Sequence, residues 1–235
     1  MSLKGRFIDL SQEIYTGMPV YPGHLKTVIF EHMSHDECQR QTGTEFSYQT
    51  SGILMCDHGP THIDSVSHMS RDPEAPSVDE IPLEHCVTSA ICLDVSDVPR
   101  QAQFGPEKIE TELERWSLEI HPGDTVLFYT AHYDRYYGTP EYATHQPGLD
   151  REATEYIIDQ GAVNFGVDAT SPDMWLDKDY PCHTVCRDRE VTHVENLCNL
   201  DQLVGKRFTF IALPLRIRNG TGSPLRAIAI LDEEE

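Results

Sequence analysis

The stretch Cys56-Asp57-His58-Gly59-Pro60-Thr61-His62-Ile63-Asp64-Ser65-Val66-Ser67-His68 gathers three histidines and a carboxylate into eleven residues, at spacings of four, two and four. Imidazole and carboxylate are the ordinary protein ligands of zinc, manganese and ferrous iron. A catalytic zinc site takes about three of them and leaves a position for water. Two histidines four apart share a face of a helix. Gly59 and Pro60 between them oppose a regular helix, because Gly carries excess backbone entropy and Pro disfavours a helical residue before it. The segment reads as a tight loop that clamps a metal, running out of an apolar strand, Phe46 to Met55. His58, His62 and Asp64 are the first ligands expected. The competing reading is a histidine-rich surface turn.

On the N-terminal side, Arg6 to Ser11 reads as a strand leading into the turn-rich loop Gly17-Met18-Pro19-Val20-Tyr21-Pro22-Gly23. Thr27 to Met33 is a second strand, separated from Phe46 to Met55 by the polar segment Ser34 to Thr44. On the C-terminal side, Ser70 to Glu84 is rich in Pro, Asp and Glu and reads as surface loop. Ser89 to Val95 is an apolar strand. Pro106 to Trp116 has helical spacing, with Ile109, Leu113 and Trp116 on one face, and Gly123-Asp124 opens a strand over Thr125 to Thr130. Tyr133 to Tyr142 is too aromatic for an ordinary loop and suggests a lid or a dimer contact.

Asp150 to Gly161 has a helix start and stop, and Ala162 to Val167 is the next strand, which implies a right-handed parallel crossover. Asp168, at the end of that strand, either orients the site or caps a turn. Two further strands, Phe208 to Ile217 and Leu225 to Leu231, flank the turn Asn219 to Pro224. The expected fold is α/β: one unit over residues 1–235, with a mixed, curled or barrel-like sheet flanked by a few helices.

Composition narrows the function. Apolar residues at 39% and charged ones at 24% belong to a soluble globular chain, and no apolar run approaches the ~18 residues of a membrane span. Met1 to Phe7 is too polar for a signal peptide, so the cytoplasm is the expected compartment. Seven cysteines, an odd number with no Cys-x-x-Cys pair, argue for free thiols rather than a disulfide scaffold. A net charge of −21 argues against nucleic acid as a partner and fits a small-molecule enzyme.

The pattern His58-x-x-Thr61-His62-x-Asp64-x-x-x-His68 resembles the signature of the cyclase family of metal-dependent hydrolases, which includes bacterial kynurenine formamidases, isatin hydrolase and a trans-dienelactone hydrolase. The resemblance extends from Asp9 to Ile230. It takes in the Asp9-Leu10-Ser11 strand and the Pro19-Val20-Tyr21-Pro22-Gly23 loop, whose aromatic residue lines the substrate pocket in that family. Tyr21 stands where a Trp is familiar in kynurenine formamidases. In the family a His, and a Glu twelve residues later in a Glu-Asn-Leu context, complete the metal centre; His183 and Glu195-Asn196-Leu197 match them. Two positions depart from the signature: Pro60 where Gly is usual and Val66 where Pro is usual.

The resemblance implies a swivelling β/β/α fold, a divalent ion (zinc foremost, manganese as the alternative) in one or two copies with Asp64 and Glu195 as bridges, and a homodimer or higher oligomer. His68 is expected to act as general acid and base rather than ligand, because a metal-held imidazole has its lone pair committed. The chemistry suits an N-formyl amide, a cyclic amide or a lactone, and Tyr21 with Tyr133 to Tyr142 favours a flat, conjugated substrate. A mononuclear iron oxygenase and a non-catalytic metal-binding protein are the readings from other classes. The remaining histidines, His193 among them, are read as structural or surface residues, and Cys182 is not read as a nucleophile.

Overall fold

The computed structural model describes residues 5–232; Met1 to Lys4 of the polar N-terminal stretch lie outside them. Period-two alternation organises the centre of the molecule. Along Val87–Asp94, Ala90 and Cys92 point to one side and Ile91 and Leu93 to the other, all fully buried. Thr125–Tyr129 repeats the pattern, with Leu127 on the first side and Val126 and Phe128 on the second. A strand buried on both faces belongs inside a sheet covered on both sides.

Nine strands form that sheet, in the spatial order Arg6–Asp9, Ile228–Leu231, Arg207–Ile211, Val87–Asp94, Thr125–Tyr129, Asn164–Val167, Thr192–Glu195, His62–Asp64 and Gly222–Pro224. The four strands from Val87–Asp94 to Thr192–Glu195 run parallel, and the pairings on either side of them are antiparallel. Each parallel connection carries a helix: Pro106–Trp116, Arg151–Asp159 and Pro181–Arg189. Pro106 and Pro181 occupy first-turn positions, where a missing N–H is harmless, and the Asp150 side chain caps its helix by accepting from the Ala153 N–H. These helices cover one face, with Ile109, Ala153, Ile157, Cys182 and Cys186 packed on Phe128 and Phe165.

The other face is concave. Gly222–Pro224 and Ile228–Leu231 lie seven strands apart in the sheet, which in a flat sheet is about 34 Å at ~4.8 Å per strand. Three residues join them, a link that spans at most about 14 Å. The sheet is therefore curled into a half-barrel, and its first strand returns to the seventh: Ser11 bridges Leu197, and the Cys198 N–H donates to the Leu10 carbonyl. Ile8, Leu10, Ile63, Val194, Phe210 and Ala229 fill the inside of the curl.

Several elements differ from the sequence expectation. Ser34 to Thr44 contains a helix, His35–Thr42, capped by the Ser34 hydroxyl; only Cys38 of it is buried, so it lacks the apolar stripe that announces a helix. The strand expected over Phe46 to Met55 begins at Thr50 and pairs with Val28–Met33 as a separate hairpin. The strand expected to run to Ile217 stops at Ile211: Leu213 and Leu215 are exposed, and Pro214 cannot donate to a ladder. All seven cysteines are free thiols. Among the described residues no helix is long and apolar enough to cross a membrane.

Candidate metal centre

Strand register builds the floor of the site. In the antiparallel pair of His62–Asp64 with Thr192–Glu195, His193 opposes Asp64 and Glu195 opposes His62. Ile63 and Val194 between them point into the curl, so the four polar side chains must share the opposite face. The first turn of Pro181–Arg189 brings His183 over this face, and the four-residue helix Val66–Met69 brings His68. His58 arrives from the irregular segment before the strand, as the glycine and proline there dictate.

The two carboxylates divide their oxygens between two groups of histidines. Asp64 Oδ1 lies 2.6 Å from His58 Nδ1 and 3.2 Å from His62 Nε2, and Glu195 Oε2 lies 3.5 Å from His62 Nε2. On the other side, Asp64 Oδ2 and Glu195 Oε1 each lie 3.3 Å from His193 Nε2 and 3.7 Å from His183 Nε2. His68 Nε2 is 3.7 Å from Asp64 Oδ2, and its ring lies on that of His58 with centroids 4.0 Å apart.

The outer nitrogens are held by hydrogen bonds that leave the inner ones facing the carboxylates. His62 Nδ1 donates to the Pro60 carbonyl at 2.8 Å. His183 Nδ1 bonds Asp173 Oδ2. Thr221 donates its hydroxyl proton to Asp57, so its oxygen accepts from His58 Nε2 at 2.9 Å. Outer partners of this kind are what metal-binding histidines use to fix their tautomer. In consequence His62 Nε2 is a buried acceptor with no hydrogen-bond partner, aimed at two carboxylate oxygens that also only accept. Acceptors facing acceptors in a buried site need a cation between them. The donor set of imidazole and carboxylate fits a divalent transition ion.

Without an ion, protons occupy that role. Burial opposes a charge on His183, yet its bonds to Asp173 and Asp64 outweigh burial and raise it to about 10. His193 is raised in the same way, with burial outweighed by Asp64 and Glu195. Asp64 is held well below the usual carboxylate range despite its burial, by His62 and by hydrogen bonds from His183, His193 and His58. His68 goes the other way: burial pushes it down to about 4.

Above the floor opens a cavity of about 280 Å³, walled by Tyr21, His24, Met69, Tyr180 and Arg187 among others. That volume admits an anilide-sized or bicyclic molecule. Tyr21 packs edge-on against Trp175, with centroids 6.2 Å apart, and its hydroxyl is pushed up to about 12 by burial and by Tyr180.

Comparison with known proteins agrees with this geometry. The Cyclase family model, described as "Putative cyclase", matches residues 8–174, well over half of the chain. The chain belongs to the Cyclase family. Within it, the kynurenine formamidase of Salinibacter ruber is 26% identical over 221 residues, covering 94% of this chain and 95% of that protein. The isatin hydrolase of Roseibium aggregatum is 25% identical over 196 residues, covering 76% and 73%. The structure of isatin hydrolase A from Labrenzia aggregata superposes with a TM-score of 0.85 at 27% identity, covering 97% of this chain and 94% of that one.

Every residue singled out from the Cyclase signature reaches the same place. His58, His62, Asp64, His68, His183, Glu195 and Tyr21 all border the cavity. The two departures are absorbed locally. Pro60 supplies the carbonyl that holds His62, and Val66 is the first residue of its short helix, a position that suits Pro but does not require it. Other expectations are corrected. His193, read as a structural or surface residue, is fully buried and joins Asp64, His183 and Glu195 in a group that could hold an ion; its place two residues before Glu195 on one strand face was the signal for it. Asp173, Thr221 and Gly222 carried no sequence signal. Tyr133 to Tyr142 does not border the cavity: Tyr142 is buried and bonds Asn196 and Gln12, so the aromatic wall comes from Tyr21 and Tyr180 instead. Asp168 does not border the cavity; its Oδ1 accepts from the Thr130 N–H and hydroxyl and ties the ends of two neighbouring strands together inside the fold. Cys182, which was not read as a nucleophile, is buried, and burial pushes its thiol well up.

Proposed function

We propose that this chain is a metal-dependent hydrolase that cleaves the C–N bond of an N-formyl or cyclic amide on a flat aromatic substrate, of the arylformamidase type. The observation that carries the reading is the orphaned His62 Nε2 facing Asp64 and Glu195 on the floor of a substrate-sized cavity. The relatives named kynurenine formamidase and isatin hydrolase support the amide class. The ligands in this reading are His58, His62, Asp64, His183 and Glu195, the ion is zinc with manganese as the alternative, and Tyr21 holds the substrate. Residues 1–235 act as one domain, in the cytoplasm, as a homodimer or higher oligomer.

A divalent ion at this floor supplies Lewis acidity to the scissile carbonyl and lowers the pKa of water toward neutrality. The protein supplies the rest. Tyr21 and Tyr180 flank a flat substrate and exclude water from its faces. His68, neutral at pH 7 because burial pushes it to about 4, takes a proton from the attacking water. It then gives that proton to the leaving nitrogen as the C–N bond breaks, so one water becomes the carboxyl O–H of one product and an N–H of the other, and the carboxyl proton passes to solvent at neutral pH. A group with so low a pKa surrenders its proton readily, which suits the second half of the cycle. The donors exceed a two-His-one-carboxylate triad, which disfavours an iron oxygenase.

The test is hydrolysis of N-formylkynurenine and isatin by chelated and by Zn²⁺- or Mn²⁺-reconstituted protein, with His68→Ala alongside. Metal-dependent turnover of either, reduced roughly 10²–10⁴-fold in His68→Ala with metal content unchanged, is expected. Turnover of lactones alone would move the substrate class, and a protein that binds no metal would end the reading.

A further inference from the structure

Resting on the amide-hydrolase reading above, we propose that Arg187 binds a carboxylate carried by the substrate, so that the site selects anionic aryl amides over neutral ones. Arg187 lies four residues after His183 on the helix Pro181–Arg189, and residues so spaced share a helix face. The turn that brings His183 over the metal floor therefore brings Arg187 to the wall above it, and both border the cavity. Among the described residues Arg187 is the only Lys or Arg that does so. Its side chain is 43% exposed, so it stands at the open side of the cavity rather than on its floor. A chain of net charge −21 thus keeps a permanent cation where a substrate enters.

A neighbouring arginine shows what a structural role looks like on this helix. Arg189 reaches across to the helix Arg151–Asp159 and holds Asp159 at 2.6 Å. Arg187 ties no second element among the described residues. Its partner is Asp188, the next residue, whose Oδ1 accepts from Nε at 2.8 Å and lies 2.8 Å from Nη2. Both side chains are about half-exposed, and a pair of this kind contributes little to stability. Nη1 makes no hydrogen bond or ion pair among the described residues. A guanidinium carries its N–H donors in a planar fork that fits a carboxylate at two points, and it stays charged throughout the working pH range. Four residues of helix separate His183 from Arg187 by about 6 Å along the axis, close to the separation of para substituents on a benzene ring. A flat ring between Tyr21 and Tyr180, with its amide at the floor, therefore presents a para or meta carboxylate to Arg187.

The experiment compares formate release from 4-formamidobenzoate and from its neutral isostere, 4-formamidobenzamide, by the metal-loaded full chain and by its Arg187→Met and Arg187→Lys variants. The parent is expected to favour the carboxylate by roughly tenfold or more in kcat/KM, as a charged hydrogen-bonded pair provides. That preference should shrink as salt rises. Arg187→Met should lose it through KM rather than kcat, and Arg187→Lys, which keeps the charge without the fork, should retain part of it. Damage to the fold would instead lower kcat and strike both probes alike. A parent without the preference, or an Arg187→Met variant that keeps it, would overturn the proposal. Absence of turnover on both probes would count against the amide reading alone, and calorimetry of 4-formamidobenzoate binding then decides for Arg187. Affinity roughly tenfold weaker in Arg187→Met than in the parent supports the anion site, and equal affinity excludes it.

Discussion

The ring of His58 lies directly on the backbone of Gly222: a Cβ built on that glycine would fall 2.6 Å from Cε1 and 2.9 Å from each ring nitrogen. Gly222 pairs with Asp64 across the edge of the sheet, so the strand that completes the sheet also supplies the flat surface on which the histidine rests. Gly222→Ala is expected to displace the imidazole and weaken metal binding on the cavity side roughly tenfold or more, in line with other losses of support around a metal ligand. Thermal unfolding of the chelated protein should move little. Unaltered metal affinity in this variant would show that His58 does not need the position it holds.

Asp173 offers a second such support. Its Oδ2 bonds His183 Nδ1, and its Oδ1 accepts from the Cys182 N–H at 2.7 Å. Asp173→Asn keeps the size and one acceptor but turns an amide N–H toward the imidazole N–H. We expect a 10–100-fold loss of metal affinity, read by competition with a chelator, together with lower activity at limiting metal. Retention of both would remove Asp173 from the centre.

Metal affinity should depend steeply on pH. In the ion-free protein His183 is raised to about 10 and His193 is raised as well, so at pH 7 both carry protons that an ion must displace. Each displaced proton makes affinity rise about tenfold per pH unit while the pH lies below the raised pKa. Calorimetry in buffers of different ionisation enthalpy should find one to two protons released from these histidines as the metal binds. Affinity that stays flat between about pH 6 and 8 would contradict the protonated state of this pair.

Stability of the ion-free fold carries a separate pH signature from Asp168. Burial raises this carboxyl from 3.8 to about 7, against the hydrogen bonds from Thr130. Between those two values the folded chain keeps a proton that the unfolded chain has lost, so stability falls as pH rises through that window and is flat beyond it. The full excursion is on the order of 4 kcal/mol. Asp168→Asn should remove this dependence and melt higher than the parent at pH 8. Parallel melting curves for the two proteins across that range would refute the assignment.

The local chain determined much of this protein. His58, His62, Asp64 and His68 lie within eleven residues, so a loop and one short strand suffice to bring them together. Gly59 and Pro60 exclude the helix that would have scattered them. The alternating and continuous apolar runs of Val87–Asp94 and Thr125–Tyr129 announced central strands, and the helix Pro106–Trp116 was legible in its period. Where apolar patterning fails, so did the reading: His35–Thr42 and Pro181–Arg189 are polar helices held by caps and, in the second, by a few buried residues.

What only the tertiary structure decided is the register of Thr192–Glu195 on His62–Asp64. A shift of one residue would send His193 and Glu195 into the curl and Val194 onto the metal face. That register follows from burying Ile63 and Val194 in the same core, a contact between residues more than a hundred positions apart that no local pattern encodes. His193, Asp173 and Gly222 owe their roles to that long-range packing. The histidine cluster could be read from spacing because short chain segments constrain their own neighbours, whereas the second half of the centre exists only once the sheet has curled and chosen its pairs.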